Sequence, residues 1–295
     1  MPISAIEAAA RESAAKNDPA LAVSAAVAER LASGAFEVPL LPQVASQVSI
    51  LASSADADAA RLSALIHRDP VLAGHVLRIA NSPAYMPRMP IVSLQQAVAR
   101  LGLSVVGEIA FAASVQSGVF RVPGYESVLK QLWRHALASG AFAKEIARAR
   151  RSNVESAFLC GLLHAVGRPA MLQLCTDAAK ALRVTLTPAR VFSLLDDGHV
   201  EVGVLIAEKW GLPKPVCAAV AHYRDYRRAA GFEHDAMITN LADRLATYLT
   251  VAGAFDETTV RDHAVFADLN LYPDDVTALL AKKESVARTV DAMTV

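Results

Sequence analysis

Apolar positions along this chain recur every three or four residues and almost never alternate in twos. Val44, Val48, Leu51 and Ala52 share one stripe, Leu62, Leu65 and Ile66 a second, and Leu72, Val76, Leu77 and Ala80 a third. A period near 3.6 marks helices that bury one face, whereas a half-buried strand would alternate. The pattern therefore predicts an all-α protein. Punctuation places the helix ends. Asp69-Pro70 reads as an N-cap followed by proline in the first helical position, so two helices meet at a corner there. Asn81-Ser82-Pro83 stops the second of them, Gly102 follows Arg100-Leu101 as a glycine cap, and Gly211-Leu212-Pro213 separates two later helices. Asp197-Gly198 reads as a break after which His199 opens a helix.

The same signals divide the chain. Residues 1–35 form an alanine-rich helical extension, with Ser4 and Glu7 in capping-box spacing. Val38-Pro39-Leu40-Leu41-Pro42 marks the join to a main domain over 36–250. Four or five short helices are expected up to about Gln116. A loop from Val119 to Tyr125, with Pro123-Gly124, then separates a subdomain of 36–125 from one of 126–250. One or two helices are expected in a tail of 251–295, after Gly253. No internal repeat or low-complexity linker interrupts this order.

Composition narrows the function classes. With 54% hydrophobic and 20% charged residues among 295, a substantial core is assured. Aromatics are only 6% and alanine is abundant, which suits helices packed at close range. Lys plus Arg and Asp plus Glu both number 29, so the basic footprint of a nucleic-acid binder is absent. The best local cluster, Arg148, Arg150 and Arg151, reads as a solvated helix end. Cys160, Cys175 and Cys217 lack metal-site spacing and read as small buried hydrophobes in a reducing compartment. The N-terminus is not a signal peptide, and the longest apolar stretch, around Leu103 to Phe120, is broken by Glu108 and Gln116. No membrane association and a cytoplasmic location are expected.

Four of the eight histidines and one aspartate stand out in the second helical group: His135, His164, His199, His222 and Asp243. Each has small residues or hydrogen-bonding residues about one turn away, so neighbouring helices could bring them together. Their spacing is not that of a two-histidine zinc helix. Taken singly, each reads as a hydrogen-bonded structural histidine. His67, His75, His234 and His263 have no such setting.

Several motifs in series resemble the HDOD domain, a non-hydrolytic relative of the HD and HD-GYP phosphohydrolases. They run from Leu40-Leu41-Pro42-Gln43-Val44 through Leu65-Ile66-His67-Arg68-Asp69-Pro70 and Val76-Leu77-Arg78-Ile79-Ala80-Asn81-Ser82 to Ser93 through Gly102. Leu132-Trp133-Arg134-His135, Gly161-Leu162-Leu163-His164, Gly167-Arg168, His199 through Gly203, Trp210-Gly211-Leu212-Pro213 and His222-Tyr223 complete the series, covering about residues 36 to 230. The resemblance implies an N-terminal helical bundle packed on an HD-like bundle. It also implies a regulatory role in bacterial signalling.

Carried over by position, His135 resembles the first metal histidine of HD-GYP enzymes and His164 the histidine of the His-Asp pair. Ala165 stands where that pair's aspartate, the carboxylate that bridges two metals, would be. His199 and His222 match later histidines, Tyr223 replaces the second of a pair, and Asp243 matches the distal aspartate. The glycine-tyrosine-proline signature is missing; Arg224-Asp225-Tyr226-Arg227-Arg228 stands there. Arg168 falls where active relatives place a basic residue near phosphate, and its surface salt bridge is the plainer expectation.

The resemblance thus implies no catalytic residues, no cofactor and no metal. If a metal binds at all, it is one ion on the vestigial positions His135, His164 and Asp243, with His199 or His222. The expected function is a non-catalytic module that binds a signalling partner: a response regulator, a kinase or a cyclic di-GMP enzyme. The alternatives are a degenerate metal-dependent phosphohydrolase and a nucleotide-binding sensor. Nucleic acid is not an expected partner, and homodimerisation stays open.

Overall fold

A computed structural model of the chain describes residues 18–52, 58–85, 87 and 89–294. Ser4 and Glu7, with the rest of residues 1–17 of the expected extension, lie outside them, as does the side chain of Ala52. The described residues form sixteen α-helices and no strand. The fold is all-α.

The caps follow the sequence. Asp58, Ser93 and Asn153 each accept a backbone N–H from the first turn of the helix they precede. Asp18, Asp69 and Thr187 do the same ahead of a proline in the first turn. After α1 (Pro19–Ala32), a first group comprises α2 (Gln43–Ala52), α3 (Ala59–Ile66), α4 (Pro70–Ala80), α5 (Leu94–Leu101) and α6 (Leu103–Gly118). The second comprises α7 (Glu126–Ala149), α8 (Val154–Leu163), α9 (Gly167–Leu182), α10 (Pro188–Lys209), α11 (Lys214–His222), a 3₁₀ turn (Tyr223–Arg228) and α12 (Glu233–Thr250). Gly102 at φ +88° and Gly211 at φ +61° sit where α5 and α10 must stop, in backbone that other residues adopt only under strain.

Two expectations need correction. The tail holds four helices rather than one or two: α13 (Glu257–Arg261), α14 (Val265–Asp268), α15 (Pro273–Ala281) and α16 (Lys283–Met293). Extra breaks fall at Asn270, at φ +50°, and at Pro273, so the apolar residues serve short segments wrapped over α7 and α12. His199 does not open a helix. It lies inside α10, which starts at the Thr187 cap, and Gly198 is a packing position where an added Cβ would stand 2.7 Å from Met171 Cε.

The described part of the extension packs on the second group. α1 buries Val23 and Val27 against α9 and α10, with Asp18 paired to Arg190 at 2.6 Å. The run Val154–Leu182 is apolar and long enough to cross a membrane by composition, but 83% of its most apolar window is buried inside the protein, and it divides into α8 and α9. The first and second groups meet through α6, α8 and α16.

Two close approaches set the geometry of the second group. A Cβ at Gly161 would stand 2.5 Å from Ser139 O, so α7 and α8 touch backbone to backbone. A Cβ at Gly167 would stand 1.9 Å from His199 O, so α9 and α10 do the same. Gly74, exposed inside α4, has nothing within 4 Å of such a Cβ. Gly167→Ala should therefore cost about 3 kcal/mol or more in urea unfolding, because backbone must move. Gly74→Ala should stabilise by up to about 1 kcal/mol, because the helix interior gains alanine at no steric cost.

Candidate functional site

Three side chains from three helices converge on one point. His135 comes from the middle of α7, His164 from the C-cap of α8 and Asp243 from the middle of α12. Asp243 Oδ1 lies 2.8 Å from His135 Nε2 and 3.1 Å from His164 Nε2. The Gly161–Ser139 contact permits this, since it lies one turn before His164 and one turn after His135. His164 is fully buried and His135 nearly so, while the Asp243 side chain retains 26% exposure.

The histidine tautomers follow from backbone partners. His164 Nδ1 lies 2.7 Å from Gly161 O, and a carbonyl only accepts, so Nδ1 carries the hydrogen. Nε2 is then a lone pair facing a carboxylate oxygen. Two acceptors 3.1 Å apart require a cation between them: a second proton on the imidazole, or a metal ion. His135 meets the same oxygen and has Thr250 Oγ1 at 3.4 Å from its Nδ1. Burial pushes the Asp243 carboxyl up, but hydrogen bonds from His135 and His164 outweigh it and hold the carboxyl well below the usual range. Burial lowers His135 in turn, against the pull of Asp243.

The donor set fits one metal ion. Two imidazole nitrogens and one carboxylate oxygen lie within 4.8 Å of one another, and ligands about 2.1 Å from a shared ion stand roughly 3 Å apart. Nitrogen and oxygen donors of this kind suit zinc or iron.

Ala165 and His199 offer no free ligand. Ala165, 7% exposed on the turn between α8 and α9, has no oxygen to give. His199 Nδ1 lies 2.8 Å from Leu195 O and must donate to it, so its Nε2 is an acceptor. The Tyr223 hydroxyl, 2.8 Å away, fills that acceptor with its own proton, and Arg224 Nε donates to the hydroxyl oxygen at 3.2 Å. The lone pair of His199 is therefore spent inside the protein. Tyr223 also stacks edge-on against His164, with ring centroids 4.7 Å apart.

His222, one of the two alternatives for a fourth position, lies apart from this cluster. His222 is the last residue of α11, half-buried beside Cys217 and Arg228 in a separate groove. The chain turns at this point into the 3₁₀ segment, and the next residue, Tyr223, takes the inward position. Arg168 forms the expected salt bridge, to the exposed Asp196 at 2.8 Å, and shares that carboxylate with Arg224 at 3.4 Å. The locking carbonyls of Gly161 and Leu195 were also missed. They lie three and four residues before their histidines, a spacing that helix geometry makes available.

Burial, with Arg168 and Arg224 adding to it, brings His199 down to about 3. An unfolded histidine titrates near 6.5, so between about 6.5 and 3 the unfolded chain takes up a proton that the folded chain refuses. Stability must fall as pH drops through that window. Asp243 adds loss at lower pH still, since a depressed carboxyl stabilises only above its unfolded value. The thermal midpoint should decline from pH 7 to pH 4, and His199→Gln should flatten the decline. Equal slopes in the two proteins would contradict the assignment.

The sequence model of the HDOD domain matches residues 38–226, well over half of the chain. An uncharacterized protein of Treponema pallidum (strain Nichols) is 26% identical over 232 residues, 75% of this chain but 43% of that relative, so the chain spans under half of its curated relative's length. Among solved structures, an HDOD domain protein of unknown function from Geobacter sulfurreducens superposes with a TM-score of 0.68 at 22% identity, covering 94% of this chain and 99% of that one. A protein from Shewanella amazonensis SB2B, named as a candidate phosphohydrolase, gives a TM-score of 0.68 at 20% identity over 92% of this chain and 98% of that one. One from Marinobacter aquaeolei VT8, named as a candidate signal transduction protein, gives 0.66 at 23% identity over 92% and 66%. At these identities the solved structures establish the shared fold, and the match over residues 38–226 establishes that the chain belongs to the HDOD family.

Proposed function

We propose that this protein is a non-catalytic signalling module that acts by binding a partner protein, within cyclic di-GMP or two-component signalling. One observation carries the reading: two positions that the resemblance matches to metal ligands offer none, Ala165 for want of a side-chain oxygen and His199 because the Tyr223 hydroxyl at 2.8 Å takes its lone pair. A binuclear site that makes a hydroxide needs ligands for a second ion. The fold of the second helical group is kept without them, which suits a role that depends on shape. The natural partner classes are a response regulator, a kinase or a cyclic di-GMP enzyme.

The test has two arms. Purified protein should leave cyclic di-GMP intact in the presence of manganese or iron, and a binding assay against the signalling proteins encoded beside it should return a partner. Metal-dependent turnover that His164→Ala abolishes would replace this reading with that of a degenerate phosphodiesterase.

A second reading concerns the remaining trio, favoured by the acceptor pair at Asp243 and His164. His135, His164 and Asp243 would hold one structural ion, which would supply positive charge to the buried carboxylate. The chain's own groups orient the donors, with Gly161 O holding the His164 ring. Zinc titration into the metal-stripped protein should raise its thermal midpoint, and Asp243→Asn should remove most of the rise. Absence of any rise, with elemental analysis showing no stoichiometric metal in native protein, would leave a proton as the cation between Asp243 and His164.

A further inference from the structure

A cleft of about 410 Å³ opens between the two helical groups, away from the histidines. Its size falls in the range of small-molecule sites, roughly 300 to 1,000 Å³. α6 contributes Glu108 and Phe111, α8 contributes Glu155 and Phe158, and α11 contributes Val216. The walls are thus largely apolar, with two aromatic rings and two carboxylates.

The charges around it do not cancel within the protein. Glu108 bonds Lys144 of α7 through Oε2, and both side chains are mostly buried, at 11% and 14% exposure. The other oxygen, Oε1, is buried and receives no hydrogen bond from the protein. A carboxylate accepts as many as four, so Glu108 keeps unused capacity at this position. Arg148 is engaged by Glu145. Glu155, exposed at the mouth, takes the Ser104 hydroxyl at 3.1 Å and forms no ion pair among the described residues. One negative charge and one buried acceptor are therefore left over at the cleft. Phe111 and Phe158, each 2% exposed, form its floor, and Lys144 covers the ring of Phe158 at 5.6 Å.

We propose that this cleft binds a small organic cation, an amine, amidine or guanidine on a flat apolar body, with its charge against Glu108 and Glu155 and its body on the apolar floor. The site is separate from the histidine cluster, and its occupancy does not depend on the partner reading. Because its walls come from both helical groups, a bound cation fixes how they are set against each other.

Benzamidine is a suitable probe, with benzamide and benzoate as its neutral and anionic counterparts. Calorimetric titration of the full chain should show benzamidine binding, and the other two binding at least roughly tenfold more weakly. Glu108→Gln should weaken benzamidine by roughly tenfold or more. Glu155→Gln, at the exposed mouth and outside the Lys144 pair, gives an independent arm and should weaken it by a smaller factor. Circular dichroism and the thermal midpoint of each variant check folding. No binding of benzamidine at millimolar concentration, equal binding of the three probes, or unchanged affinity in both glutamine variants would overturn the proposal.

Discussion

The arrangement of the second helical group depends on backbone carbonyls that take the Nδ1 hydrogens of two buried histidines. Gly161 O fixes His164 and Leu195 O fixes His199. Each bond satisfies a buried donor and at the same time commits the opposite nitrogen to be an acceptor. What then faces each acceptor decides the chemistry. For His199 it is the Tyr223 hydroxyl, so the nitrogen is satisfied and closed. For His164 it is another acceptor, Asp243, so the pair holds only with a positive charge between them. Two histidines with the same backbone lock thus end in opposite states: one satisfied within the protein, the other needing a proton or a metal ion between it and Asp243.

Close helix packing makes this possible. Gly161 and Gly167 let backbones touch where any side chain would intrude, and both lie within three residues of His164. The segment that carries His164 is therefore also the segment that fixes two helix–helix contacts. Alanine at position 165 fits the buried turn between them. The packing depends on the glycines and needs no carboxylate there.

Much of this was legible in the sequence. The helical period, the Asp69-Pro70 corner and the glycine stops at 102 and 211 depend on local geometry, which neighbouring residues specify. The convergence of His135, His164 and Asp243 was legible only through the resemblance, since the three lie on separate helices and no spacing links them. His222 was misplaced because one residue at a helix end turns a side chain by about 100°. The chain leaves α11 at that residue, and Tyr223 faces inward instead. His199 lies inside α10 although Asp197-Gly198 has the composition of a break. In α10 Gly198 is a packing position beside Met171, a relation visible only across helices.

The two sites share elements, and this bears on how such a module could carry a signal. α7 holds His135 and Lys144, nine residues or roughly 13 Å apart along the axis and on opposite faces. α8 holds Glu155 and Phe158 at one end and His164 at its C-cap. Among the described residues few polar ties cross between the helical groups, Lys144 to Glu108, Ser104 to Glu155 and Trp210 to Pro39 O, while Arg78 and Gln116 link the first group to carbonyls of α16 in the tail. Two of these border the cleft. A rigid shift of α7 or α8 that alters the cleft must also move a histidine relative to Asp243 on α12. The 2.8 and 3.1 Å contacts at that carboxylate leave little room for such a shift without breaking one of them. The cluster therefore holds α7, α8 and α12 in register.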